Sequence, residues 1–160
     1  MYPLKTPKVS CGYGVEGDHW KLGRHNGVDF KAAIGTPVYA VAPCRVVEVG
    51  KTSWGEAYGD RSVIVYFRNG QMAIYAHLDK AVVTKNQQLA EGDLIGKVGN
   101  RGNSTGPHLH FETRVEPHKY GEDVDPTYLF ESEPFKASLP ALADKPKKKA
   151  VKKSAKNPNN

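Results

Sequence analysis

The chain has 160 residues, of which 39% are hydrophobic, 9% aromatic and 25% charged, the composition of one ordinary globular domain. No apolar stretch approaches the roughly 18 residues that a membrane-spanning helix needs, which excludes an integral helical membrane protein. Seven of the 23 Lys and Arg residues lie in 145–160, which leaves 16 basic against 17 acidic side chains in the first 144 residues, so the body lacks the basic surface of a nucleic-acid-binding domain.

Composition divides the chain into an N-terminal approach segment at 1–20, a β-rich domain at 21–136 and a tail at 137–160. The approach segment is rich in Gly and Pro and shows no periodicity. The domain alternates short β-branched runs with glycines and is predicted to be all-β, with strands at 38–41, 44–49, 62–68, 71–77, 94–98 and 109–115. A short helical turn is expected after the Asp-Pro pair at 125–126. The tail, rich in Lys, Pro and Ala, is expected to be disordered.

The two middle strands are joined by Asn69-Gly70, which is a strong signal for a two-residue hairpin turn. Such a turn places His77 opposite Ser62 at the open end of the hairpin. Because side chains alternate between the faces of a strand, His77 is expected to share a face with Tyr75.

Candidate metal-binding side chains occur in three loops or strand ends. His25 and Asp29 flank an Asn-Gly turn that could bring the imidazole and the carboxylate together. His108 and His110 are two residues apart in a strand and therefore point to one face, either as two ligands or as a ligand and a base. With His77 they match a catalytic zinc site, which has three protein ligands and a base nearby. The alternative interpretation of His25 and Asp29 is a surface hairpin. For His77 the alternative is an ordinary strand-end histidine that is solvated or satisfied in the core.

Five spaced motifs follow one another in the domain: HNGVD at 25–29, GTPVYA at 35–40, YAHL at 75–78, EGDLIG at 91–96 and STGPHLHFE at 104–112. In this order the chain resembles the LytM/lysostaphin-like zinc endopeptidases, from about residue 23 to residue 114. The resemblance implies an antiparallel β-sheet domain with a substrate groove. It also implies cleavage of peptide cross-links in bacterial peptidoglycan.

The resemblance assigns a role to each candidate residue: one zinc ion bound by His25, Asp29 and His110, and a catalytic pair formed by His77 and His108. It does not divide the acid and base roles between the pair. The stretch 54–60 matches no pattern of the family, but none of the assigned positions is lost. An enzyme is therefore predicted, and a non-catalytic wall-binding or regulatory module of the same fold is the alternative.

Four further residues receive no role from the sequence. Cys11 and Cys44 show no CxxC spacing, and either a single disulfide or two free thiols is compatible with the sequence. His19 and His118 match no motif and are interpreted as surface residues.

The expected biological setting is phage lysis. The chain begins at Met1 with prolines and lysines where a secretory signal has its apolar core, so an endolysin is predicted, with a virion-associated or bacterial enzyme as alternatives. Such a protein is made in the host cytoplasm and acts at the wall after the membrane is opened. The protein is expected to be a monomer that acts on peptidoglycan. No specific nucleic acid is expected as a partner. The Lys-rich tail is expected either to contact anionic envelope polymers or to be a passive extension. Glycine bridges and direct D-alanine–diaminopimelate cross-links are both possible substrates.

Overall fold

The computed structural model describes residues 1–131, and the predicted disordered tail lies outside them. This part of the chain is built almost entirely from short strands, with one 3-10 turn at Glu56–Tyr58 and one helical turn at its end. In chain order the elements are β1 (Val9–Cys11), β2 (Val28–Lys31), β3 (Pro37–Tyr39), β4 (Cys44–Gly50), β5 (Ser62–Phe67), β6 (Met72–Ala76), β7 (Leu78–Ala81), β8 (Gln88–Leu89), β9 (Leu94–Val98), β10 (His108–Arg114), β11 (Asp123–Val124) and α1 (Tyr128–Glu131).

Two antiparallel sheets contain these strands. The larger has eight strands, in the order β1-β2-β10-β6-β5-β4-β8, with β11 paired to β10. The smaller has the order β3-β9-β7. The predicted all-β, antiparallel fold is confirmed. No helix in residues 1–131 is long and apolar enough to cross a membrane.

The main hydrophobic core joins side chains of both sheets. Phe30, Tyr75 and Phe111 contribute from the large sheet, and Val38 and Ile95 from the small one; all five are fully buried. At roughly 1.5–3 kcal/mol for each large apolar side chain removed from water, this layer is the main source of stability. The alternation of side chains along β6 and β10 leaves the other face of the large sheet free to carry polar residues.

The opposite face carries a smaller apolar cluster that includes Ile64, Ile74 and Ala76. Strand pairing places Ala76 beside His110 and Ile74 beside Glu112. This face therefore forms the floor beneath the candidate site.

The hairpin of β5 and β6 differs from the predicted one by one residue. Its loop has three residues, because Phe67 N donates to Gln71 O at 2.9 Å and Gly70 N donates to Phe67 O at 3.1 Å. The strands pair Val63 with Tyr75. Gly70 has φ 89°, so the loop is a tight turn followed by a left-handed glycine, which is the other common solution for an Asn-Gly hairpin. The predicted two-residue register is wrong.

Both ends of the described chain join the same body. Strand β1 pairs with β2, and Leu4 is buried in the main core. The ring of Tyr2 stacks on Phe130 of α1 with centroids 5.0 Å apart. The turn before α1 is closed by Asp125, whose Oδ1 accepts from Thr127 N at 3.0 Å, in agreement with the expected Asp-Pro start.

Candidate active site and metal centre

Strand pairing brings the predicted site residues together from distant parts of the sequence. Strand β10 lies between β2 and β6 and pairs His110 with Asp29 on one side and with Ala76 on the other. His25 lies in the bend before β2, and His77 directly follows β6. All five candidate side chains line one cleft.

Three of them converge on one point. His25 Nε2 lies 3.2 Å from Asp29 Oδ1 and 3.2 Å from His110 Nδ1, and His110 Nδ1 lies 2.8 Å from Asp29 Oδ1. Two donors bound at 2.0–2.1 Å to a tetrahedral zinc stand about 3.3 Å apart. The three donor atoms, 2.8–3.2 Å apart, are slightly closer together than this spacing. Two imidazoles with one carboxylate are a donor set that zinc accepts.

Gly27 makes this convergence possible. A Cβ atom at position 27 would lie 2.6 Å from Phe111 O and 2.7 Å from the ring of His110. The chain between His25 and Asp29 thus passes directly against β10. Only a residue without a side chain allows that approach.

The predicted catalytic pair lies beside the three donors. The rings of His77 and His108 are 4.6 Å apart, and His108 Nε2 lies 3.7 Å from Asp29 Oδ1. His77 has φ 60°, which ends the strand alternation and turns its side chain away from the face of Tyr75 toward this cleft. The predicted shared face of His77 and Tyr75 is therefore wrong, although His77 lies at the site.

Three of the imidazoles are fixed in the same way. The Nδ1 atoms of His25, His77 and His108 lie within 2.9 Å of backbone carbonyl oxygens, those of Gly12, Arg101 and Gly106 respectively. A carbonyl only accepts hydrogen bonds, so each Nδ1 carries a proton, and in the neutral ring the lone pair is then on Nε2. For His25 the free Nε2 is the atom that meets Asp29 and His110.

The charges in the cleft stabilise the ionised forms of Asp29 and His110 and disfavour the ionised form of His77. Burial opposes ionisation of Asp29, but hydrogen bonds from His110 and His25 outweigh it and hold the pKa of Asp29 well below its usual range. Burial also opposes the imidazolium of His110, yet its bonds to Asp29 and Glu112 raise the pKa of His110 to about 9. Burial, with His110 and His108 nearby, lowers the pKa of His77 to about 4. His77 is therefore neutral at pH 7.

Several residues at the site were not predicted from the sequence. Glu112 is fully buried and lies 3.3 Å from His110 Nε2. Tyr58 and Asn26 both donate to Glu112 Oε2, at 2.6 and 2.8 Å. Tyr58 belongs to the stretch that matched no family pattern. Its hydrophobic environment and distant partners give no signal in the sequence.

Cys11 also lies close to the site. Strand pairing sets it opposite Asp29, and its Sγ lies within 4.8 Å of donor atoms of Asp29 and His25. Cys11 and Cys44 are both free thiols. Burial raises the pKa of both, so neither is an activated nucleophile.

The cleft has a volume of about 910 Å³ and aromatic walls. Trp20 stacks on His25 with ring centroids 5.1 Å apart, and Trp54 and Tyr120 lie on the wall as well. His19 is exposed as expected but also lines this cleft. His118, expected on the surface, has a side chain only 9% exposed, and its Nε2 contacts Gly70 O.

The family follows from a match to the model of "Peptidase family M23" over residues 23–126. The chain belongs to this family. It is 35% identical over 136 residues to the peptidoglycan DD-endopeptidase ShyA of Vibrio cholerae, which covers 85% of this chain and 28% of ShyA. It is 33% identical over 129 residues to the glycyl-glycine endopeptidase ALE-1 of Staphylococcus capitis, covering 81% and 35% of the two chains. The chain thus spans about a third or less of the length of these relatives.

Solved structures of family members have the same fold. The catalytic domain of the antimicrobial peptidase lysostaphin from Staphylococcus simulans matches with a TM-score of 0.71 and 34% identity, over 79% of this chain and 93% of that one. A zinc-containing peptidase from Vibrio cholerae matches with 0.66 and 31%, over 82% and 39%. The catalytic domain of the prophage-encoded M23 protein EnpA from Enterococcus faecalis matches with 0.62 and 26%, over 77% and 91%.

Proposed function

We propose that this chain is a zinc-dependent endopeptidase that hydrolyses the peptide cross-links of bacterial peptidoglycan. The observation that carries the proposal is the convergence of three donor atoms, 2.8–3.2 Å apart, beside two further imidazoles in one cleft. Relatives from two genera are named as endopeptidases, one of peptidoglycan and one of glycyl-glycine bonds. A wall-binding module without activity would not need the whole set.

His25, Asp29 and His110 would hold one zinc ion. When bound, zinc polarises a peptide carbonyl and lowers the pKa of a water molecule. Two observations fit this assignment. The three donor atoms lie close together, and the outer nitrogen of His25, Nδ1, donates to a backbone carbonyl, which leaves Nε2 available for the metal.

His77 and His108 would carry the protons of the reaction. Each presents Nε2 on the cleft side, because its Nδ1 is held by a carbonyl. A neutral imidazole can take a proton from water, and an imidazolium can deliver one to the leaving amine. Tyr58 and Trp54 line the cleft and would exclude solvent from one side of an extended peptide.

The role in phage lysis belongs to this proposal as well. Its support is the similarity to the prophage-encoded EnpA domain. In that role the protein would be made in the host cytoplasm and would act on the wall after the membrane is opened. Expression inside a host, with and without a separate membrane-permeabilising protein, tests it. Lysis in the absence of that protein would contradict the proposed route.

The decisive experiment combines activity with metal content. Purified walls of a glycine-bridged and of a directly cross-linked chemotype are digested, and the released fragments are analysed by mass spectrometry. Chelation should abolish cleavage and Zn²⁺ should restore it. A His110→Ala variant should lose both zinc and activity. Zinc bound at full stoichiometry by that variant would contradict the ligand set, and wall binding without cleavage by the zinc-loaded wild type would favour the non-catalytic module.

A further inference from the structure

Glu112 is a buried carboxylate to which the proposed mechanism gives no role. It lies on β10, two residues after the candidate ligand His110, and its side chain is fully buried. Burial of a carboxylate is costly unless its charge and lone pairs are satisfied. The partners of Glu112 therefore show what keeps it in place.

Four groups contact this carboxylate. Arg114 Nε donates to Oε1 at 2.6 Å, while Tyr58 Oη and Asn26 Nδ2 donate to Oε2. The fourth is His110 Nε2, 3.3 Å from Oε2. Arg114 also donates to Tyr58 Oη at 2.9 Å, and its guanidinium lies 3.7 Å from the centre of the Trp54 ring. Both carboxylate oxygens of Glu112 are thus held by hydrogen-bond donors, and Oε2 also faces His110.

His110 is bound differently from the other three histidines of the candidate site. His25, His77 and His108 are held through Nδ1 by a backbone carbonyl and present Nε2 to the centre. His110 is reversed: Nδ1 faces Asp29 and His25, and Nε2 faces Glu112. In the described part of the chain, Glu112 is the acceptor for this outer nitrogen. The side chain of Glu112 therefore orients His110, as backbone carbonyls orient His25, His77 and His108.

We propose that Glu112 is a positioning residue that holds His110 with its proton on Nε2 and its lone pair on Nδ1, directed at the metal. This inference rests on the proposed function. The carboxylate sets both the ring orientation and the tautomer, and its charge makes the imidazole a stronger donor. Arg114, Tyr58 and Asn26 act one step further away, by fixing the carboxylate itself.

The test is the zinc affinity of a Glu112→Gln variant, measured by competition with a chelator of known affinity. Glutamine has the same shape, but it carries no charge and has only one accepting oxygen for donors on two sides. We expect the dissociation constant for zinc to rise about 10–100-fold. Glu48→Gln is the matched control, because Glu48 hydrogen-bonds Ser53 in a surface loop and should leave zinc affinity unchanged.

A spectroscopic measurement separates positioning from general stability. In the zinc-loaded wild type, ¹⁵N-edited histidine spectra should show His110 protonated at Nε2, with a resonance shifted downfield by the carboxylate. Glu112→Gln should move that resonance and leave His25 unchanged. A double variant, Glu112→Gln with Arg114→Gln, removes the carboxylate without leaving a buried guanidinium unpaired, and serves if the single variant does not fold.

The outcomes are distinct. Zinc affinity within twofold of the wild type in either variant, with an unchanged His110 resonance, would overturn the positioning role. A weakened affinity with the resonance moved supports it. Failure of the wild type itself to bind zinc would instead overturn the proposed function, and this inference with it.

Discussion

Each of the four histidines of the candidate site has one ring nitrogen held by a protein partner away from the centre, and this decides which chemistry the other nitrogen can perform. His77 and His108 are held through Nδ1 by backbone carbonyls, and His108 Nδ1 also lies 3.2 Å from Ser104 Oγ. Their rings are 4.6 Å apart, close enough to act on one substrate atom and its neighbour. The three donor atoms of the candidate metal centre belong to other residues. Proton transfer and metal binding are therefore separable by substitution.

Replacing either His77 or His108 by alanine should leave zinc bound and the fold intact but reduce the rate of cross-link hydrolysis about 10²–10⁴-fold. General acid–base groups contribute to the transition state, whereas the loss of a ligand dismantles the metal site. Turnover is measured on cross-linked wall fragments, and zinc by elemental analysis of the same samples. Wild-type turnover in a zinc-loaded variant would remove that histidine from the mechanism.

Replacing Gly27 by alanine should reduce both zinc content and melting temperature. The added methyl group would meet the carbonyl of Phe111 and the ring of His110, and neither belongs to a flexible side chain that can move aside. Overpacking of this kind typically costs about 1–3 kcal/mol. Gly106→Ala is the control, since a Cβ there has open space around it. Equal zinc content and melting temperature in the two variants would show that the close approach at Gly27 is unimportant.

At the scale of elements, the hairpin of β5 and β6 shows how a short loop sets a register. Gly70 adopts φ 89°, a conformation that glycine reaches without strain and that asparagine tolerates better than alanine. Gly70→Ala should lower stability by about 1 kcal/mol, or roughly 3–6 °C in melting temperature. Gly70→Asn should lower it less. Melting followed by circular dichroism checks the order, and an equal or larger loss in the asparagine variant would contradict it.

The strands that could be predicted are those with an apolar run, such as β5 and β6, or with regular alternation of apolar and polar residues, such as β10. Strands of two or three residues, such as β1 and β8, carry too little pattern, because they form only where a neighbour offers free backbone groups. The register of β5 and β6 failed for a related reason: Asn-Gly permits two loop lengths, and the choice depends on backbone twist. His77 was placed on the wrong face because nothing local announces a positive φ at a histidine.

The candidate site could be anticipated where its residues stand in recognisable motifs, and not where their role depends on partners that only the fold supplies. His25, Asp29, His77, His108 and His110 all fall within short motifs, and the structure brings them together in one cleft. Glu112 also stands in a motif, but its role depends on Tyr58 and Asn26, 54 and 86 residues away in sequence. A buried carboxylate is recognisable only once its donors are known.

At the scale of the whole molecule, charge is separated along the chain. The first 144 residues are close to neutral, whereas 145–160 carry seven lysines and no acid. A near-neutral body has little attraction for an anionic cell envelope. A linked polycation would raise its concentration there, over a range set by a Debye length of about 8 Å at 0.15 M salt.

Truncation after Asp144 should therefore weaken binding to purified walls at low salt and leave hydrolysis of small soluble cross-linked peptides unchanged. A full-length variant with all seven tail lysines replaced by glutamine keeps the length of the chain and removes only its charge. Because the attraction is electrostatic, both variants should bind walls alike, and the wild type should lose its advantage as salt rises. Binding is measured by co-sedimentation across a salt series. Equal sedimentation of all three proteins at low ionic strength would show that the tail is a passive extension, whereas reduced binding by the truncated protein alone would assign the effect to chain length rather than charge.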